Sequence, residues 1–205
     1  VASGTPVRVL DGAGAWAEGT LTGEGREMVI QVDLVENDPK PPALRLAVAA
    51  GDKDRFGWVV EKGTELGATD IIPVSTERTA SAASAIRESH LPALGRRARE
   101  TLKQCGGTWA PVVHPVSRLA AFLAEPGDGL RLVASQGGAA IPDLVGGVPV
   151  TVLVGPEGGF TEAEEARCLA AGLDPVALGP DILRVETAVI AAAAVVALAR
   201  GRPHG

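Results

Sequence analysis

Gly155-Pro156-Glu157-Gly158-Gly159 ends an apolar run and stands directly before a helix start. Free backbone N–H groups at such a junction favour an anion or the polar edge of a ligand. Glycine loops that hold phosphate usually bring a lysine. This one brings a carboxylate, Glu157. No G-x-x-x-x-G-K-[ST] segment occurs, which speaks against a P-loop site, and no G-x-G-x-x-G follows the first strand of the α/β part. A cationic ligand with a purine suits the loop better, its adenine edge met by backbone amides and carbonyls. S-adenosylmethionine, with its sulfonium, is such a ligand. A plain tight turn, with Glu157 complementing the dipole of the next helix, explains the same residues.

A second segment has the same character. Leu178-Gly179-Pro180-Asp181-Ile182-Leu183-Arg184-Val185-Glu186-Thr187-Ala188 follows a short strand and enters the last helix. Arg184 and Glu186 interrupt an otherwise apolar stretch, and as a surface ion pair they would contribute little. The net charge is −6, which taken whole argues against a nucleic-acid partner. Residues 84–118 are the exception. They carry Arg87, Arg96, Arg97, Arg99, Lys103 and Arg118 against Glu88 and Glu100. That is either a basic patch or a solvated helix face.

Metal and redox chemistry find no pattern. His90, His114 and His204 do not fall at metal-ligand spacing, and Cys105 and Cys168 are unclustered, so the metal expectation is none and the compartment expected is a reducing cytoplasm. The longest apolar run, Ala188 to Ala199, is too short for a membrane span of about 20 residues. The chain starts at Val1 without a Met, and the expectation is that its natural N-terminus lies upstream.

Two blocks must position these residues. Residues 1–40 read as short strands between glycine turns, with Asp11-Gly12 and Gly23 to Gly25 as hairpin signals. "ENDPKPP" (36–42) reads as a linker. From Leu44 strands and helices alternate. "LRLAVAA", "DIIPV", "PVVHPV", "LRLVAS", "VPVTVLV" and "DPVALG" are the strand segments. "DKDRFGWVVEKGTELG", a long helix over 84–105 with Pro92 in its first turns, "SRLAAFLA" with a serine cap, a helix opened by Thr161 and Glu164 as a capping box and closed by Gly172, and a last helix over 186–200 are the helical ones. Apolar strands between helices predict an α/β domain with a parallel sheet.

"LVGPEGGFTEAE" and "LGPDILRVETA" resemble the RsmE family of 16S ribosomal RNA uridine-N3 methyltransferases, within the SPOUT superfamily. "KDRFGWVVEKGTELGATDIIPVSTERT" (53–79) and "RRARETLKQCGG" (96–107) agree with it, so the resemblance runs from about Leu44 to Ala199. It implies a SPOUT-type α/β fold with a C-terminal trefoil knot, an exception to the rule against knots. It also implies a small, N-terminally incomplete PUA-like β-barrel for RNA over 1–40, the methyltransferase domain being 41–205. The cofactor would be S-adenosylmethionine, held among loops near 134–138, 155–159 and 178–184. Ala134, Val154, Gly155, Pro156, Glu157, Gly158, Gly159, Leu178, Gly179, Ile182, Leu183 and Thr187 are the implied cofactor residues. Arg184 is the first candidate to stabilise the uracil ring as its N3 proton leaves, and Arg78 the second. Arg96, Arg97, Arg99, Lys103 and Gln104 would face RNA, and the last, nearly all-apolar helix suits a homodimer. The partner would be 16S ribosomal RNA or the assembled small subunit, with no membrane. A SPOUT enzyme for another base and an inactive RNA-binding relative are the alternatives. Gly107, Ala134-Ser135-Gln136 and Asp181 depart from the family pattern, in two cases where relatives carry positive charge.

Overall fold

The computed structural model describes residues 2–24, 27–79, 86–141 and 147–201. The N-terminal block is an antiparallel sheet in the order β1 (Pro6–Leu10), β2 (Ala15–Glu24), β3 (Glu27–Asn37). Asp11 makes the first turn: its Oδ1 accepts from Ala13 N at 2.6 Å and from Ala15 N at 3.1 Å. Strands β2 and β3 pair to the Glu24↔Glu27 register, and the connecting Gly25 of the second hairpin signal lies outside the described residues. Strand β3 also takes Glu36 and Asn37, the first two residues of the expected linker, because they complete the ladder opposite Trp16 and Ala15.

Asp38 fastens this sheet to the rest of the chain. Trp16 Nε1 donates to one carboxylate oxygen at 3.1 Å, Thr108 Oγ1 to the other at 2.7 Å, and Trp109 Nε1 to the Asp38 carbonyl at 3.2 Å. The Arg8 guanidinium stacks over the Trp16 ring at 3.9 Å. The hydrogen bonds from Thr108 and then Trp16 hold the Asp38 carboxyl below its ordinary value.

Next come β4 (Leu44–Ala49), α1 (Lys53–Glu65) and β5 (Asp70–Ser75), then a 3₁₀ turn over Glu88–His90 and α2 (Leu91–Cys105). They are followed by β6 (Val112–Val113), β7 (Ser117–Arg118), α3 (Leu119–Ala124) and β8 (Leu130–Ala139). The chain ends with β9 (Val150–Val154), α4 (Glu162–Ala170), β10 (Asp174–Val176) and α5 (Val185–Arg200). The second sheet has the order β10-β8-β9-β4-β5-β6, with β7 also on β5, and its described pairings are all parallel. The expected parallel α/β sheet is therefore present. Strand β9 lies at its centre with all five residues buried. Val152 and Val154 pack with α1 and α5 on one face, and Leu153 with α3 and α4 on the other. A strand covered on both faces needs the continuous apolar run seen in the sequence.

Three local expectations are corrected. The long helix starts at Leu91 rather than 84, preceded by the 3₁₀ turn, with Pro92 in its first turn; residues 84 and 85 are outside the described set. Ser117 is not a cap. It lies in β7, its Oγ donates to Arg118 O at 3.3 Å, and Arg118 takes the cap position without a side-chain bond. "PVVHPV" supplies only the two residues of β6, since Pro111 and Pro115 bracket it and lack the N–H a ladder needs. His114 is structural: its Nε2 meets Asp70 Oδ1 at 2.7 Å, which holds the Asp70 carboxyl below its ordinary value.

Candidate active site

The carboxyl ends of β8, β9 and β10 open onto a cavity of about 600 Å³, where open parallel sheets bind ligands. Three chain segments wall it. The first comes from β8. Its ladder with β10 jumps from Pro175↔Val133 to Val176↔Ala139, so residues 134–138 bulge out, and Val133 to Gly137 line the cavity. Gly138 lets β10 pass close by, since a Cβ there would lie 2.5 Å from Val176 N.

The second wall is Val154 to Phe160. Gly159 has φ +71°, and its N–H donates to Pro156 O at 2.8 Å, closing the turn. Gly155 lies under the Phe160 ring, where a Cβ would come within 2.8 Å. The third wall runs from Leu178 to Val185 and on to Ala188 of α5, with Glu165, Cys168 and Leu169 of α4 closing the base. Of the residues expected to hold a cofactor, Ala134, Val154, Gly155, Pro156, Glu157, Gly158, Gly159, Leu178, Gly179, Ile182 and Leu183 line this one space. Thr187 does not; it is exposed on α5.

Glu157, Glu165 and Asp181 line the cavity, and among the described residues no Lys, Arg or His does. Burial, with Glu164 and Glu165 nearby, pushes the Cys168 thiol up to about 11, so it stays neutral. The surface therefore suits a cation and opposes a polyphosphate.

The arginines lie elsewhere. Arg78, in the turn after β5, donates through Nη1 to Gly158 O from the far side of the glycine loop. There it lines a second cavity of about 360 Å³ with Gly51, Asp52, Arg55, Thr79, Pro156, Glu157 and Gly158. The glycine loop is the wall between the two spaces. Arg55 Nη1 meets Glu157 Oε1 at 2.7 Å. Arg184 takes the cap position of α5, exposed, lines neither cavity and has no ion pair among the described residues. Its neighbours Leu183 and Val185 do line the large one. Arg78 and Arg184 thus line no common cavity.

Glu164, 2% exposed, holds the loops in place. It completes the expected capping box, accepting from Thr161 N at 3.0 Å, and reaches across to Glu77 N at 2.8 Å. The turn carrying Arg78 is thereby tied to the helix that follows the glycine loop. Glu186 Oε2 is buried without a hydrogen-bond partner among the described residues.

Arg96, Arg97, Arg99, Lys103 and Gln104 are all exposed on α2. Arg97 bonds Glu61 of α1, with Nη2 at 3.1 Å, and rests over Gly57. Lys103 pairs with Glu100 at 2.8 Å. Such exposed pairs are weak and exchangeable.

Arg55 and Glu165 were missed in the sequence. Arg55 stands in the first turn of α1, just past the carboxyl end of β4. The strand-end rule that singled out the glycine loop would have found it. Glu165 follows the capping glutamate by one position, and no motif marks it.

A model of the RNA methyltransferase domain matches residues 38–197. The ribosomal RNA small subunit methyltransferase E of Bacillus subtilis (strain 168) is 32% identical over 184 residues, covering 82% of this chain and 65% of that protein. The Synechocystis protein of the same name is 29% identical over 191 residues, covering 88% and 61%. The chain thus spans less than two thirds of the length of these two relatives. The Rickettsia conorii protein of that name is 30% identical over 180 residues, covering 82% and 71%. Among solved structures, a ribosomal RNA small subunit methyltransferase E from Neisseria gonorrhoeae bound to S-adenosyl methionine superposes with a TM-score of 0.85 at 27% identity, covering 98% of this chain and 85% of that one. A probable rRNA-methyltransferase from Porphyromonas gingivalis gives 0.83 at 26%, covering 98% and 87%. With its RNA methyltransferase domain matched over residues 38–197 and its identity to small subunit methyltransferase E relatives, the chain belongs to the RsmE family of RNA methyltransferases.

Proposed function

We propose that the protein transfers a methyl group from S-adenosylmethionine to N3 of a uridine in 16S ribosomal RNA, as free RNA or in the assembled small subunit. The observation that carries this is the large cavity: strand-end loops around about 600 Å³, bearing three carboxylates and no basic side chain among its described lining. A ligand with a sulfonium and an adenine fits that surface, and a nucleotide polyphosphate does not. The names of the relatives and the S-adenosyl methionine in the Neisseria structure support the same reading.

When bound, the cofactor supplies an electrophilic methyl carbon, and the chain supplies position and electrostatics. The glycine loop and the 134–138 bulge would hold the adenine through backbone amides and carbonyls. Glu157, Glu165 and Asp181 favour the positive end. N3 of uracil carries a proton at neutral pH, and a guanidinium near O2 or O4 stabilises the ring as that proton leaves. Arg184, exposed between two cavity-lining residues, is assigned this role first and Arg78 second. The base is presented unstacked, with Arg96, Arg97, Arg99, Lys103 and Gln104 on the RNA side.

The finer architecture belongs to the same reading. The three walls are the loops of a trefoil knot. Residues 1–40 form part of a PUA-like RNA-binding barrel and 41–205 the methyltransferase domain. The chain works in the cytoplasm as a homodimer through α5, where Val195 and Leu198 are exposed at 41% and 82%.

Calorimetry with S-adenosylmethionine tests the cofactor, and no heat together with no thermal shift at millimolar concentration would reject it. A strain lacking the gene should lose one reverse-transcription stop in its 16S RNA, since N3-methylation blocks base pairing. A stop that persists rejects the substrate. Arg184→Ala should keep cofactor binding and lose turnover, and unchanged turnover rejects its role.

A further inference from the structure

The second cavity lies across the glycine loop from the space assigned to the cofactor, and Pro156 to Gly158 wall both. Its cations are Arg55 and Arg78. Arg78 donates to a neutral carbonyl and has no carboxylate partner among the described residues. Arg55 is held by Glu157 at 2.7 Å, with the two side chains 47% and 52% exposed, so the pair is weak and exchangeable. The other carboxylate, Asp52, is engaged as the cap of α1, accepting from Asp54 N at 2.9 Å and Arg55 N at 3.1 Å. A guanidinium prefers the paired oxygens of a phosphate, which it binds through two donors at once.

The geometry points to a phosphodiester subsite: a backbone phosphate of the RNA substrate enters between Arg78 and Arg55, and Arg55 leaves Glu157 to bind it. That the phosphate comes from RNA rests on the methyltransferase reading. The exchange acts on the other face of the loop. Glu157 lines the cofactor cavity too, and once freed of Arg55 its charge meets a cationic cofactor uncompensated. RNA and cofactor then strengthen each other's binding, and the coupling is reciprocal.

The test uses the full chain, fluorescence anisotropy of a labelled short oligouridylate, and calorimetry of S-adenosylmethionine with and without it. Arg55→Gln and Arg78→Gln should each weaken oligouridylate binding and flatten its log–log salt dependence by about 0.7. Glu157→Gln should tighten oligouridylate about threefold, the strength of an exposed pair, while weakening the cofactor. Arg55→Gln should tighten the cofactor alone and abolish its enhancement by oligouridylate. Opposite effects on two ligands from one exposed substitution do not arise from misfolding. An unchanged salt slope in both arginine variants, or weakening of both ligands by Glu157→Gln, overturns the subsite. Inorganic phosphate displacing oligouridylate at equal concentration overturns its assignment to RNA. Failure of the parent protein to bind S-adenosylmethionine rejects the methyltransferase reading instead, and the salt slopes still decide the subsite.

Discussion

Replacing Glu164 by alanine tests how the loops are held. The side chain is 2% exposed and serves two backbone donors, Thr161 N at 3.0 Å and Glu77 N at 2.8 Å. Both bonds end on a carboxylate, and each such bond contributes about 1.5 kcal/mol net. The substitution leaves both N–H groups without an acceptor and removes one side of the capping box of α4. Relief of a buried charge offsets part of this. A loss of about 2 kcal/mol remains, and for a chain of this size that lowers Tm by about 4–8 °C. Glu164→Gln keeps one oxygen and sets an amide NH₂ against the other donor, so about half the loss is expected. Thermal denaturation followed by circular dichroism reads the stability. Hydrogen exchange reads the mechanism, because the amides of Glu77 and Thr161 should lose protection first. The turn carrying Arg78 is released with Glu77, so cofactor affinity should fall several-fold in the alanine variant. A Tm within about 2 °C of the parent, or unchanged exchange at both amides, refutes the assignment.

Two further outcomes follow from the titrating groups. Cys168, with its thiol near 11, exposes a thiolate fraction of only about 0.1% at pH 8, so iodoacetamide should modify the partly exposed Cys105 first. Mass mapping that finds Cys168 modified first contradicts its burial beneath the cavity. Asp38 has a lowered folded-state value, so its contribution is present above the unfolded carboxyl value of about 3.9 and is lost as pH falls through the folded one. Acidification below about pH 4 should therefore loosen the N-terminal sheet and change the fluorescence of Trp16 and Trp109, and the change should be absent in Asp38→Asn. An identical acid transition in that variant removes Asp38 from the docking.

The sequence made legible what local rules govern. The apolar run of "VPVTVLV" marked β9 because a strand covered on both faces needs one. Thr161 and Glu164 marked the start of α4 because capping acts over a single turn. Local rules failed where a partner distant in sequence decides. Glu164 reads as a capping residue, and nothing near it announces a bond to Glu77, 87 positions away. Ser117 reads as a cap, yet pairing of β7 with β5 draws it into the sheet. Arg97 reads as a free cation, yet α1 brings Glu61 beneath it.

Glu157 joins both kinds of information. Its carboxylate made phosphate a poor ligand for the glycine loop, and the acidic lining of the large cavity agrees with that. Yet Glu157 does not act alone, because Arg55, 102 positions earlier, takes up one of its oxygens at 2.7 Å. The lasting negative charge of the large cavity therefore comes from Glu165 and Asp181, while that of Glu157 depends on where Arg55 points. Pairs of opposite charge a few ångströms apart interact by several kcal/mol at most near a surface, and solvent removes much of it. That is small enough for a phosphate to displace and large enough to change cofactor affinity several-fold. A loop placed between two cavities, with an acid shared by both and an arginine belonging to one, has the parts needed to make binding on one side felt on the other.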